Sequence, residues 1–174
     1  CAAGDEVLVP TPYYFDHDMW LRASGVTPVY VPVGHDFLPD PDALADAVTD
    51  RTRAIVVVTP NNPTGVECPP DLIDAVDGLA RRHGLALILD ETYREFREAE
   101  GAPHGAFARD GWRDHFVHLT SYSKSLAIPG ARVGALVAGP AVRREVAKLL
   151  DCQTICAPRL AQEAVAFGLT HLGD

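Results

Sequence analysis

Three short apolar runs constrain this chain more than any other feature: Ala54-Ile55-Val56-Val57-Val58, Leu85-Ala86-Leu87-Ile88-Leu89 and Phe116-Val117-His118-Leu119. The second is continuous rather than alternating, as a strand buried on both faces is. Strands of that kind need helices on both sides. The rest of the chain alternates to match. Val7-Leu8-Val9, Pro28 to Val33 and Val133 to Ala138 read as further strands. Tyr14 to Ala23 reads as a helix with Phe15, Met19 and Trp20 turned inward. Asp40-Pro41 is a helix start, a capping Asp before a Pro at the first helical position, and Leu44, Ala47 and Val48 share one face after it. Pro69-Pro70 opens another helix, with an apolar stripe of Leu72, Ile73, Val76, Leu79 and Ala80 and with Gly84 at its close. Helices are also expected from Pro140 to about Leu150 and from Pro158 to Gly168. Residues 97–115 mix Gly, Pro, His and charges without period and read as a long surface excursion. The expected fold is α/β, a three-layer α/β/α arrangement around a mostly parallel sheet, in one domain over residues 1–174.

Composition limits the function. With 174 residues the chain can bury a substantial core. Its formal net charge of −9 argues against nucleic acid as a partner. No apolar run approaches the roughly 20 residues of a membrane helix. The opening Cys1-Ala2-Ala3-Gly4-Asp5-Glu6 is not a signal-peptide pattern. The four cysteines, at 1, 68, 152 and 156, form no Cys-x-x-Cys pair, and the seven histidines form no i,i+4 metal pair. No metal site is expected, and the thiols fit a reducing, cytoplasmic setting. The chain starts at Cys1 and ends in Leu172-Gly173-Asp174 just past a helix, so it reads as a stretch of something longer.

Each apolar run ends in chemistry. Ala54–Val58 leads into Thr59-Pro60-Asn61-Asn62-Pro63-Thr64-Gly65, Leu85–Leu89 into Asp90-Glu91-Thr92-Tyr93, and Phe116–Leu119 into Thr120-Ser121-Tyr122-Ser123-Lys124. The carboxyl ends of parallel strands are where open α/β sheets bind ligands. An amine, a carboxylate, a phenol, an amide and hydroxyls delivered to one edge suit carbonyl chemistry on an aromatic cofactor. Two other readings fail. Ser121-Tyr122-Ser123-Lys124 fits Ser-x-x-Lys, but the Ser-Asp-Asn and Lys-Thr-Gly partners of the penicillin-recognising enzymes do not occur. Gly130-Ala131-Arg132-Val133-Gly134 is neither a dinucleotide fingerprint nor a Walker loop.

Asn62-Pro63-Thr64-Gly65, Asp90 with Tyr93, Ser121-x-Ser123-Lys124 and Arg132, in that order and each after a suitable strand, resemble the class I/II aminotransferases of fold type I. The resemblance covers nearly the whole chain, through the central part of that family's large domain. It implies pyridoxal 5'-phosphate as cofactor, with amino acids and 2-oxo acids as substrates. Lys124 would bond the cofactor aldehyde and move the substrate's α-proton, and Asp90 would pair with the pyridine nitrogen. Tyr93 and Asn62 would hydrogen-bond the ring 3′-oxygen. Ser121 and Arg132 would hold the phosphate, with Ser123 as support for the lysine loop. Tyr14, with Tyr13 as the competing choice, would stack on the ring. The resemblance further implies cis bonds at Thr11-Pro12 and Asn62-Pro63, and a homodimer. It places an amino-terminal segment and a smaller carboxy-terminal domain, with the arginine that grips the substrate carboxylate, outside this stretch. The stretch alone is then expected to be inactive. A C–S lyase or a decarboxylase on the same scaffold, or the aminotransferase-like sensor domain of a transcription regulator, remain alternatives, because cofactor residues do not fix reaction type.

Overall fold

The computed structural model describes residues 1–98 and 100–172. Ala99, within the expected excursion, and Gly173 and Asp174 lie outside the described residues. Six strands form one sheet: β1 (Glu6–Thr11), β2 (Thr27–Pro32), β3 (Thr52–Val58), β4 (Ala86–Asp90), β5 (Phe116–Ser121) and β6 (Gly134–Val137). Their order is β2-β1-β3-β4-β5-β6, parallel throughout except for the antiparallel pairing of β5 with β6. The connecting helices are α1 (Phe15–Ala23), α2 (Pro41–Asp46) and α3 (Pro70–Arg82). After β5 come the single turn α4 (Tyr122–Ser125) and the longer α5 (Pro140–Gln153) and α6 (Arg159–His171). Among the described residues no helix is long and apolar enough to cross a membrane.

The strand order explains the layers. The chain moves one way from β1 to β2, then back across β1 to β3 and on to β4. Right-handed crossovers put a helix on the opposite face when the direction reverses. One face carries α2, α3 and a core of Leu8, Leu44, Ile55, Leu79, Leu87, Leu89 and Phe116. The other carries Val7, Val9, Ala54 and Val56, with Leu21 of α1 against them. The reversal between β1 and β3 is a topological switch point, where a crevice opens at the strands' carboxyl ends.

The expected elements are present, with four corrections. Phe15, Met19 and Trp20 are not inward; they are 59%, 59% and 67% exposed, and α1 buries none of its residues fully. The α1 side chain that meets the apolar core is Leu21, one position round from the expected stripe. Strand β4 is not wholly buried on both faces, since Ala86 and Ile88 are half-buried. The strand expected at 133–138 is an antiparallel edge strand. The excursion is not merely surface. It forms 3-10 turns at Ala106–Ala108 and Trp112–Asp114, and buries His104 and Ala106 against the core. Ion pairs fasten it down. Arg97 Nε donates to Glu67 at 2.6 Å, Arg109 bonds Asp77 at 2.9 Å, and His115 meets Asp77 at 2.6 Å. Burial leaves such a carboxylate no water, so these partners are what keep Asp77 satisfied.

Candidate active site

Strand alternation decides which residue after each run faces the crevice. In β4, Ala86, Ile88 and Asp90 share one face, and Leu87, Leu89 and Glu91 the other. Asp90 therefore rises into a cleft of about 330 Å³ at the strands' carboxyl ends. All seven residues expected from the sequence line it: Tyr14, Asn62, Asp90, Tyr93, Ser121, Lys124 and Arg132. The volume falls within the range of small-molecule sites, about 300–1,000 Å³.

Asp90 is 7% exposed. Its Oδ1 accepts from the backbone N and the Oγ1 of Thr92, at 3.0 and 2.7 Å, and its Oδ2 faces His17 Nε2 at 3.0 Å. Burial raises the carboxyl's pKa, but the bonds from His17 and Thr92 outweigh burial and hold it below the usual carboxylate value. At neutral pH it is an anion. A carboxylate has about four acceptor positions and three are taken, so one remains for a cationic donor in the cleft.

Asn62 is presented by a loop that Asn61 organises. Asn61 Oδ1 accepts from the N and Oγ1 of Thr64, at 3.2 and 3.0 Å. Gly65 N donates to Asn61 O at 2.8 Å, with Gly65 at φ 77°, a conformation that a residue with a Cβ resists. Thr11-Pro12 and Asn62-Pro63 are cis as expected, and Thr59-Pro60, which was not expected, is cis too.

Ser121 ends β5 and caps α4, its Oγ accepting from Ser123 N at 3.3 Å, which leaves its hydroxyl proton free to donate. Ser123 is buried. Lys124 follows on the exposed side of the turn, and among the described residues nothing hydrogen-bonds or ion-pairs with its amine. Arg132 has left-handed backbone (φ 54°) and spends one N–H on Pro129 O at 2.7 Å. Its other donors remain for the cleft.

The geometry separates the two tyrosines. Tyr13 stacks on Tyr30 with centroids 5.2 Å apart and does not line the cleft, whereas Tyr14 does. The Tyr14 hydroxyl donates to Asp16 at 2.8 Å, and that bond, with burial and the nearby negative charges, pushes its pKa up. It stays a neutral aromatic surface at ordinary pH. A second, wider cleft of about 780 Å³ opens alongside. Asn62, Tyr93, Ser123 and Lys124 belong to both walls, and Phe96 and Ala127 line the wider one.

His17, Asn61, Thr92 and Glu91 were not foreseen. Only His17 left a signal, its place one helical turn after Tyr14. Glu91 is buried on the far face of the sheet, where burial raises its pKa but bonds from His104 and His118 bring it down to about 2. A carboxyl with a folded pKa below its unfolded 4.5 stabilises the fold above pH 4.5 and loses that contribution as pH falls toward 2. Glu91 is therefore expected to account for stability on the order of 3 kcal/mol that disappears across this window. Asp90 acts in the same sense. Denaturant unfolding of the full-length protein at stepped pH should show the loss, and Glu91→Gln should flatten it.

Residues 1–171 match the family model for aminotransferase class I and II. The chain is 34% identical over 172 residues to a probable aspartate/prephenate aminotransferase of Thermus aquaticus, covering 97% of the chain and 44% of that protein. It is also 34% identical over 170 residues to an aromatic amino acid aminotransferase of Cutibacterium acnes, covering 96% and 46%. The structure of an aspartate aminotransferase from Thermus thermophilus with maleate superposes with a TM-score of 0.90 at 30% identity, over 99% of this chain and 45% of that one. The chain thus spans less than half the length of these relatives. A mostly parallel sheet with a polar cleft at its strands' carboxyl ends and a family match over nearly every residue lead to one conclusion: this chain belongs to the class I and II aminotransferases.

Proposed function

We propose that the full-length protein is a pyridoxal-phosphate-dependent aminotransferase that moves an amino group between an amino acid and a 2-oxo acid. The observation that carries this reading is the convergence on one cleft of an amine (Lys124), an ionised buried carboxylate (Asp90), a phenol (Tyr93), an amide (Asn62) and a hydroxyl–guanidinium pair (Ser121, Arg132). The donor set fits the cofactor. Asp90 has an acceptor position left for a protonated ring nitrogen, and Arg132 and Ser121 have donors left for a phosphate.

When bound, pyridoxal phosphate supplies an aldehyde and an electron-accepting pyridinium ring. This chain supplies the rest. Asp90 would keep the ring nitrogen protonated, because a buried carboxylate favours a cation beside it. His17 and Thr92 hold Asp90 in place and ionised. Tyr93 and Asn62 would donate to the ring oxygen, and Tyr14 would supply an aromatic surface for the ring. The Lys124 amine would hold the cofactor's aldehyde and would serve as the base and acid for the substrate's α-proton. Its place on the wall common to both clefts lets one amine serve cofactor and substrate. In this reading the chain is the cofactor platform of a large domain. The substrate-gripping arginine lies outside it, and the whole enzyme is a cytoplasmic homodimer.

The relatives named for aspartate, prephenate and aromatic amino acids favour transfer over lyase or decarboxylase chemistry. The test is to incubate the full-length protein with aspartate or an aromatic amino acid and 2-oxoglutarate. Equal amounts of glutamate and of the donor's own 2-oxo acid are expected. Release of ammonia or carbon dioxide without glutamate would contradict the reading.

A further inference from the structure

Asp90 and Glu91 are consecutive, so strand alternation sends them to opposite faces of the sheet. Asp90 faces the cleft. Glu91 goes beneath it, to the side that Leu87 and Leu89 occupy, and is 1% exposed. A buried carboxylate needs a reason, because leaving water is costly for a charge. Three segments converge on its Oε2. His118 Nε2 of β5 lies at 2.7 Å, His104 Nε2 of the excursion at 3.2 Å, and Arg94 donates from the following turn at 3.3 Å. The backbone fixes one ring: Ala106 N donates to His104 Nδ1 at 3.2 Å, so Nε2 carries the proton that Glu91 accepts. His104 and Phe107 pack on Phe116 and His118 around the cluster.

The pH-linked stability of Glu91 is relative to its own protonated form; relative to an apolar side chain the arrangement is a poor stabiliser. Glu91 Oε1 and His118 Nδ1 are buried without a partner among the described residues, and such unmet groups cost about 1–3 kcal/mol each. An apolar residue of similar size would avoid that cost. Position gives a better account. The Glu91–His118 bond crosses from the end of β4 to β5, beside the backbone bond from Glu91 N to Leu119 O at 2.9 Å. β4 delivers Asp90 and Tyr93, and β5 delivers Ser121 and Lys124.

We propose that Glu91 is a positioning residue: bonded to His118 and His104 beneath the sheet, it locks the turn carrying Asp90 and Tyr93 in register with the strand carrying Ser121 and Lys124. This rests on the cofactor reading of the cleft. Without the lock, Tyr93 donates less well to the ring oxygen, and that oxygen's proton affinity rises.

The test uses the full-length holoenzyme with Glu91→Ala, Glu91→Gln and, as a control, Leu44→Ala. Leu44 is a fully buried core residue of α2 that does not line the cleft. Two readouts are taken: the pH midpoint of the bound cofactor's absorbance change, and the single-turnover rate. Glu91→Ala is expected to raise the midpoint by about one pH unit and to slow the single turnover roughly tenfold, with little change in KM. Glu91→Gln keeps an oxygen for His118 Nε2 and should recover most of both effects. Leu44→Ala should lower the melting temperature and leave the midpoint in place. If Glu91→Ala does not fold, the proposal requires Glu91→Gln to give a smaller shift in the same direction that Leu44→Ala lacks. Wild-type values in the Glu91 variants, or the same shift in Leu44→Ala, would overturn the positioning role alone. A wild-type protein with no cofactor absorbance and no reducible adduct would instead overturn the cofactor reading, and this inference with it.

Discussion

Replacing Asp90 with Ala in the full-length protein is expected to slow α-proton removal on the order of a thousandfold while substrate binding changes little. A pyridine ring draws electrons from a developing carbanion only while its nitrogen stays protonated. That proton is kept by a carboxylate that is itself ionised and buried. Asp90 meets both conditions: 7% exposure, and a pKa held down by His17 and Thr92 against burial. Removing one preorganised electrostatic partner at a reacting centre typically costs 10²–10³ in rate, about 3–4 kcal/mol, and the loss falls on the transition state. Stopped-flow measurement of a single turnover with α-deuterated and ordinary substrate separates the step from binding. An unchanged rate with a wild-type isotope effect would remove Asp90 from the nitrogen. His17→Ala should show a weaker version of the same defect, since it removes one of the three bonds that Asp90 accepts.

The largest effect is expected at Lys124. Lys124→Ala should lower transamination by about 10⁴-fold, the upper range for losing a group that both carries protons and holds the reacting carbon. Folding should be almost unaffected, because the side chain is exposed and its amine has no partner among the described residues. Turnover loss without a change in melting temperature distinguishes this from a core defect. Lys148 is the fair comparison. It lies on α5, where its amine pairs with Glu145 at 2.7 Å on the surface, and Lys148→Ala should leave turnover as it was.

Much of this was legible in the sequence because two periods speak plainly. Continuous apolar runs of four or five residues mark buried strands, and the first polar residues after them land at the sheet's ligand edge whatever the connections do. That is why Asn62, Asp90, Ser121 and Lys124 reach one cleft although 62 residues separate the first from the last. What was not legible depends on which face an element shows to its neighbours. Phe15, Met19 and Trp20 make a reasonable apolar stripe, yet the sheet meets Leu21 instead. A pattern reports that a helix has an apolar side and not what that side meets. The excursion hid its buried His104 because 3-10 turns held by ion pairs leave no hydrophobic period to read. Glu91 was hidden by its neighbour. Two consecutive carboxylates after a strand look alike in the sequence, and only the strand's alternation sends the second to the opposite face.

The central claim is that Lys124 carries the cofactor, and borohydride reduction tests it most directly. The full-length protein, loaded with pyridoxal phosphate, is reduced, digested and mapped by mass spectrometry. The stretch contains two lysines, so the result is unambiguous within it. The account predicts a phosphopyridoxyl adduct on Lys124, at close to one per chain, and none on Lys148. An adduct on Lys148, or an unmodified Lys124 in protein that holds the cofactor elsewhere, would contradict it.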